Sequence, residues 1–187
     1  MADQSLAQLA LSNIAAFFPS NPGLQQPQKQ TPYSDEDIEQ ISLLLSRVDE
    51  SWSRFPRTYI VLRLIGHLDH LNEFISLGFT DHFFPVTARS LPRSLDTGAQ
   101  TAFERAQIAV LTKSIDLEKG ENGRHRHFAK GEPLPFQSEG VLGSGAYGQV
   151  DRVVSKISHK EYSRKRVRRG VILGGMHETV QRASWLR

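Results

Sequence analysis

The chain has 187 residues, 39% of them hydrophobic and 23% charged, and a formal net charge of +3, the balance of a soluble globular protein of one or two domains. It holds no apolar run of the roughly 20 residues that a bilayer span requires, and it carries Asp3 where a secretion signal carries basic residues. The lack of cysteine excludes disulfides, thiolate catalysis and cysteine-ligated zinc, and it suits a cytoplasmic or nuclear compartment.

Residues 1–33 read as a disordered or weakly helical segment: a short apolar stretch, Leu6 to Phe18, then a Pro-, Gln- and Asn-rich run, Pro19 to Thr31, of linker character. Residues 34–132 read as a helical region. Ser34 and Asp37 have the spacing of a capping box with the shorter acid, and Ile38, Ile41, Leu44, Leu45 and Val48 follow at helical period, which predicts a helix over Asp35–Asp49. A stronger pattern from Thr58 to Leu77 (Val61, Leu64, Ile65, Leu68, Leu71, Ile75) predicts one long helix ended by Gly78 as its C′ residue. Phe79 to Pro92, with Phe83 and Phe84, reads as an apolar connection packed on the helices. A third helix is predicted from Thr97 to about Glu118, turning Phe103, Ala106, Val110 and Leu117 inward and ending at the Gly120 and Asn122-Gly123 turn signals.

Near Pro133 the character changes to shorter period and β-branched residues. Gln149–Ser155 reads as a strand, Lys156–Lys160 as a turn and Glu161–Arg168 as a second strand. Ahead of them lies Gly143-Ser144-Gly145-Ala146-Tyr147-Gly148-Gln149-Val150, a G-x-G-x-x-G-x-V segment. Three glycines at that spacing are weak evidence alone, and the valine sharpens it. A dinucleotide-binding loop opens a helix after its third glycine and places an acid about 20 residues on. Here a strand follows, and the region around residue 168 is arginine-rich.

Strand, glycine loop, strand, turn and a lysine-bearing strand resemble the N-lobe of a protein kinase. Tyr162-Ser163-Arg164-Lys165 is similar to the strand-three segment V-A-I-K or Y-A-x-K, with Ser163 in the alanine position, and Lys165 lies 15 residues after Val150. Trp52–Tyr59, Asp116–Gly120, Pro133–Phe136 and Lys160–Val167 further resemble filamentous-fungal serine/threonine kinase-like proteins with a helical N-terminal extension. The resemblance implies an α+β chain in which the helical region precedes the first three antiparallel strands of a kinase domain, over residues 133–187. It also implies an ATP site built from Leu142, Gly143, Ser144, Gly145, Ala146, Tyr147, Gly148, Val150 and Lys165. There the glycines let the backbone lie over the triphosphate, Tyr147 caps the loop tip, Val150 packs on adenine and Lys165 holds the α- and β-phosphates, with Mg²⁺ in an intact relative.

The same resemblance marks what is missing. Only 22 residues follow Lys165, no H-R-D-x-x-x-x-N or D-F-G occurs, and a whole kinase domain takes about 250 residues by the family's measure. The chain is therefore expected to be catalytically incomplete as given, with no catalytic residue or metal ligand assigned and Glu178 the one candidate for the helix-αC glutamate. Without further packing, three strands are expected to lean on the helices or to be poorly ordered.

Other constellations read as ordinary surface. His125 and His127, interleaved with arginines, suit a solvated loop, and His67 and His70 beside Asp69 suit a polar helix face rather than an H-E-x-x-H metal motif. Between Arg152 and Arg169 stand eight Lys or Arg residues and the single acid Glu161. That excess resembles a nucleic-acid patch, but it lacks interleaved aromatics apart from Tyr162 and any recognition-helix pattern, so nucleic acid is the weakest reading. The runner-up to the kinase reading is a non-enzymatic module whose helical region binds a protein partner.

Overall fold

A computed structural model of the chain describes residues 2–18, 32–119, 128–129, 131–146 and 148–167. The fold is α+β. Among the described residues five helices, α1 Ala2–Ala15, α2 Asp35–Leu45, α3 Pro56–Leu64, α4 Leu71–Ser76 and α5 Thr97–Ala106, precede three strands, β1 Phe136–Gly145, β2 Gly148–Ser155 and β3 Glu161–Val167. The chain forms two compact units, Met1–Phe128 and Ala129–Arg187. The sequence placed the boundary between them near Pro133.

In the helical unit α3 is the centre. Every residue from Pro56 to Leu62 is buried, the polar Arg57 and Thr58 among them. Around it, Phe74, Phe84 and Phe103 stack in sequence, with ring centroids 5.6 Å apart for Phe74–Phe103 and 5.9 Å for Phe84–Phe103, and Phe79 meets Phe74 edge-on at 4.9 Å. Each such ring contributes on the order of 2–3 kcal/mol of burial. The Phe79–Pro92 connection is thus packed as expected through Phe84, whereas Phe83 stays about half exposed.

The first part of the N-terminal segment forms the fourteen-residue α1, which packs on α2 and buries Ala10 and Ile14. The Pro19–Thr31 run lies outside the described residues. At α2 the capping box is formed: Ser34 Oγ accepts from the Asp37 N–H at 3.1 Å, and Asp37 Oδ2 accepts from the Ser34 N–H at 2.9 Å.

Two predicted helices are interrupted. The Thr58–Leu77 pattern is cut after Leu64, where Gly66 adopts φ +77° and a Schellman pair closes the end: the His67 N–H donates to Leu62 O and the Gly66 N–H to Arg63 O. A short 3₁₀ turn, Leu68–His70, then leads into α4. Gly78 ends α4 as predicted, with φ +73° and the same two bonds, Phe79 N–H to Phe74 O and Gly78 N–H to Ile75 O. The Thr97–Glu118 helix likewise ends at Ala106, because buried Gln107 turns its amide back to bracket Val86, accepting from its N–H at 2.8 Å and donating to its carbonyl at 2.7 Å. The chain continues in two 3₁₀ segments, Gln107–Val110 and Lys113–Glu118.

Buried polar groups in this unit are satisfied in chains. The Arg57 guanidinium donates to Val110 O at 3.3 Å, to Thr112 Oγ1 at 3.1 Å and to Asp35 Oδ1 at 2.9 Å. Asp81 lies beneath the start of α3 and accepts from the N–H groups of Arg57 and Thr58 at 2.7 and 3.1 Å and from Thr58 Oγ1 at 2.7 Å. Burial pushes the Asp81 carboxyl above the usual range, against the pull of the Arg57 charge and of these bonds.

The second unit is an antiparallel sheet in the order β1-β2-β3. The β2–β3 turn is fastened by Ser155, whose Oγ accepts from the N–H groups of Ile157 and Ser158 at 3.0 and 3.1 Å, and by His159 in the left-handed region at φ 56°. Ile157 and Val153 supply its buried apolar side chains. β1 is exposed along nearly its whole length, Val141 and Leu142 included.

Candidate functional site, the glycine hairpin and its lysine

The glycine segment folds into a hairpin rather than opening a helix, because β-branched residues follow Gly148 and period-two alternation takes over. Gly145 pairs with Gly148 where the two strands meet. Tyr147 lies outside the described residues, as do His125, His127 and Glu178. Two irregularities bend β1, one leaving Glu139 and the other Leu142 without a partner opposite, as β-bulges do.

Register fixes which side chains share a face. Val150 pairs with Gly143 on one side and with Lys165 on the other, so the three form one cross-strand row. On the same face the next rows are Gly145–Gly148–Val167 and Gly140–Arg152–Ser163. Four glycines therefore line the face that carries Lys165 and Ser163, while Leu142 and Ser144 stand on β1 beside the row. A Cβ built on Gly143 or Gly145 meets nothing within 4 Å, so a ligand can approach that backbone closely. Gly148 is different: at φ +154° a Cβ would meet Arg166 O at 2.0 Å, and the strand pairing itself demands glycine.

Lys165 is exposed. Among the described residues no hydrogen bond or ion pair engages its amine. This sets it apart from its neighbours, because the arginines flanking it face the other way and serve Asp151. That carboxylate, 1% exposed, receives Arg166 Nε at 2.6 Å, Arg164 at 3.2 Å and the Gln149 amide at 2.6 Å. The hydrogen bond from Arg166 foremost, with those from Gln149 and Arg164, holds the Asp151 carboxyl below the usual range. Within the basic cluster Lys165 is open to solvent and Arg164 is the more covered member. Nothing in the composition marked Asp151 as the organiser; its place one residue after Val150, and so on the other face of the predicted strand, was the available signal.

The sign of the Asp151 shift sets a pH dependence. A folded value below the unfolded one gives stability that is present above the ordinary aspartate range, near 3.9, and is lost as pH falls through the folded value. Acid titration followed by amide exchange is expected to release β3 amides below about pH 4. The Asp151→Asn variant is expected to lose that protection already at neutral pH. Equal exchange in variant and wild type would remove Asp151 from its organising role.

The residues present fit a nucleotide polyphosphate in two respects, open backbone at Gly143 and Gly145 and an unengaged cation on their face. Among the described residues no helix is long and apolar enough to cross a membrane. No protein-family model, curated protein or solved structure matches the chain.

Proposed function

We propose that the β-hairpin unit binds ATP in the manner of a serine/threonine protein-kinase N-lobe. The observation that carries the reading is the row Gly143–Val150–Lys165, which, with Gly145 in the next row, puts the two open glycines, an apolar side chain and a free amine on one face. Lys165 would hold the α- and β-phosphates as a point charge. Val150, with exposed Leu142 beside it, would offer apolar surface to the base, and Ser163 would set a hydroxyl two residues from Lys165 on the same face. Bound ATP would bring its polyphosphate charge and its Mg²⁺. The chain's own contribution is binding, since the sequence contains neither H-R-D nor D-F-G and so lacks the groups that orient a hydroxyl and hold the metal in that family.

Titration of a fluorescent ATP analogue, with and without Mg²⁺, tests the reading. Saturable binding is expected, weakened about 10- to 100-fold in Lys165→Met, the range for loss of a charge-assisted contact. Saturable binding that Lys165→Met leaves unchanged, or none at all, would refute it. In the latter case the interaction reading gains, supported by Leu6 and Leu9, which lie three apart on α1 and are each more than half exposed. Salt-sensitive affinity for duplex DNA would instead favour a basic nucleic-acid module, a reading already weakened by the engagement of Arg164 and Arg166 with Asp151.

A further inference from the structure

The break in the predicted long helix has a chemical consequence. In an unbroken helix His67 and His70 would decorate a solvated face. Because Gly66 ends α3 and a 3₁₀ turn follows, His67 and His70 instead bracket a single tight turn, with the His70 N–H donating to His67 O at 3.2 Å. Their rings lie 5.9 Å apart between centroids. The Asp69 carboxylate turns into the same space, and one ligating atom from each of His67, Asp69 and His70 lies within 4.8 Å of the others.

We infer that His67, Asp69 and His70 form a divalent transition-metal site of the zinc class, with Glu73 orienting His70 from outside. Two imidazoles and a carboxylate are a borderline-soft donor set that zinc accepts, with solvent completing four-coordination. For metal bonds of about 2.0–2.1 Å, tetrahedral ligand atoms stand roughly 3.3 Å apart, so closing the site takes a contraction of about 1.5 Å. The Asp69 side chain is 79% exposed and free to supply it.

The second observation is the support behind His70. Its Nδ1 lies 3.2 Å from Glu73 Oε2, while its Nε2 faces Asp69 Oδ2 at 3.7 Å. A carboxylate on one ring nitrogen fixes the proton there and leaves the other nitrogen's lone pair for a metal, the arrangement that ligating histidines commonly have. This site belongs to the helical unit and is independent of the nucleotide reading.

The test is calorimetric titration of the full chain with Zn²⁺, alongside an optical titration with Co²⁺ for the visible bands of a nitrogen- and oxygen-ligated ion. One saturable site is expected. Asp69→Asn and His70→Ala should each weaken it at least 10-fold, and Glu73→Gln by about 10-fold. The His125→Ala/His127→Ala double variant should leave it unchanged. Circular dichroism checks the fold of each; if His70→Ala does not fold, Asp69→Asn decides, since its exposed side chain can change without disturbing the core. The proposal is overturned if wild type shows no saturable Zn²⁺ binding, if Asp69→Asn binds as wild type does, or if the site is lost with His125 and His127.

Discussion

Asp81→Ala is expected to cost the helical unit about 3–5 kcal/mol, the range for stripping a buried charge network of one partner. α3 has no side-chain cap of its own, since Phe55 holds the N-cap position. Its first N–H groups are satisfied from 23 and 24 residues away, by the two oxygens of one carboxylate. With alanine at 81, the Arg57 and Thr58 N–H groups and the Thr58 hydroxyl are left buried without acceptors, at about 1–3 kcal/mol for each unsatisfied group before relaxation. The Arg57 guanidinium also loses a nearby negative charge, with Asp35 and Glu118 remaining.

Asp81→Asn separates the parts of that cost. Burial disfavours the ionised carboxyl, as its raised value indicates, so a neutral amide relieves some of the desolvation. The amide keeps one acceptor for Thr58, but its NH₂ faces the Arg57 N–H as a second donor. A loss of about 1–3 kcal/mol is expected, smaller than for alanine. Urea unfolding followed by circular dichroism measures both variants. If Asp81→Ala lies within about 1 kcal/mol of wild type, water reaches the start of α3 and the carboxylate is not its cap.

How far the sequence carried the fold depends on what kind of signal each element used. The capping box at Ser34 and Asp37 and the C′ glycine at Gly78 are local chemistry, complete within a few residues, and both form as read. Gly66 carries the same signal as Gly78, yet the apolar spacing of Leu64, Ile65, Leu68 and Leu71 continues across it, and periodicity outweighed a single glycine. What ends the helix there is the Schellman pair, in which Gly66 alone can take φ +77° without strain. The end of α5 was illegible for a different reason: Gln107 leaves the helix to serve Val86, a partner 21 residues away, and Asp81 serves α3 at a similar remove. Such long-range satisfaction of backbone groups has no local signature. In the hairpin, alternation placed β2 and β3 to within a residue of their observed bounds and set Lys165 on the face opposite Arg164 and Arg166, whereas the cross-strand partners, Asp151 for Arg164 and Val150 for Lys165, followed only once the register was known.

Gly148→Ala is expected to destabilise the hairpin by about 3 kcal/mol or more, from a backbone conformation that L side chains rarely adopt together with a Cβ aimed at a neighbouring carbonyl. The contact is with Arg166 O at 2.0 Å, backbone rather than a side chain that can swing aside. A three-stranded sheet has little stability to spare, so amide protection across β2 and β3 should collapse in the full-length variant, and nucleotide binding with it. Gly143→Ala and Gly145→Ala make the decisive contrast. Both positions face open space, so alanine there should leave the hairpin as protected as wild type, or slightly more, since it removes glycine's excess unfolded-state freedom. Their added methyls nevertheless lie where the backbone would have to meet phosphate, and affinity for the ATP analogue should fall about 10-fold, roughly one charge-assisted hydrogen bond. Hydrogen exchange read beside the same titration separates the two effects. A Gly143→Ala protein that is fully protected and binds the analogue like wild type would leave the glycines explained by strand pairing at Gly148 alone, with no phosphate for them to hold.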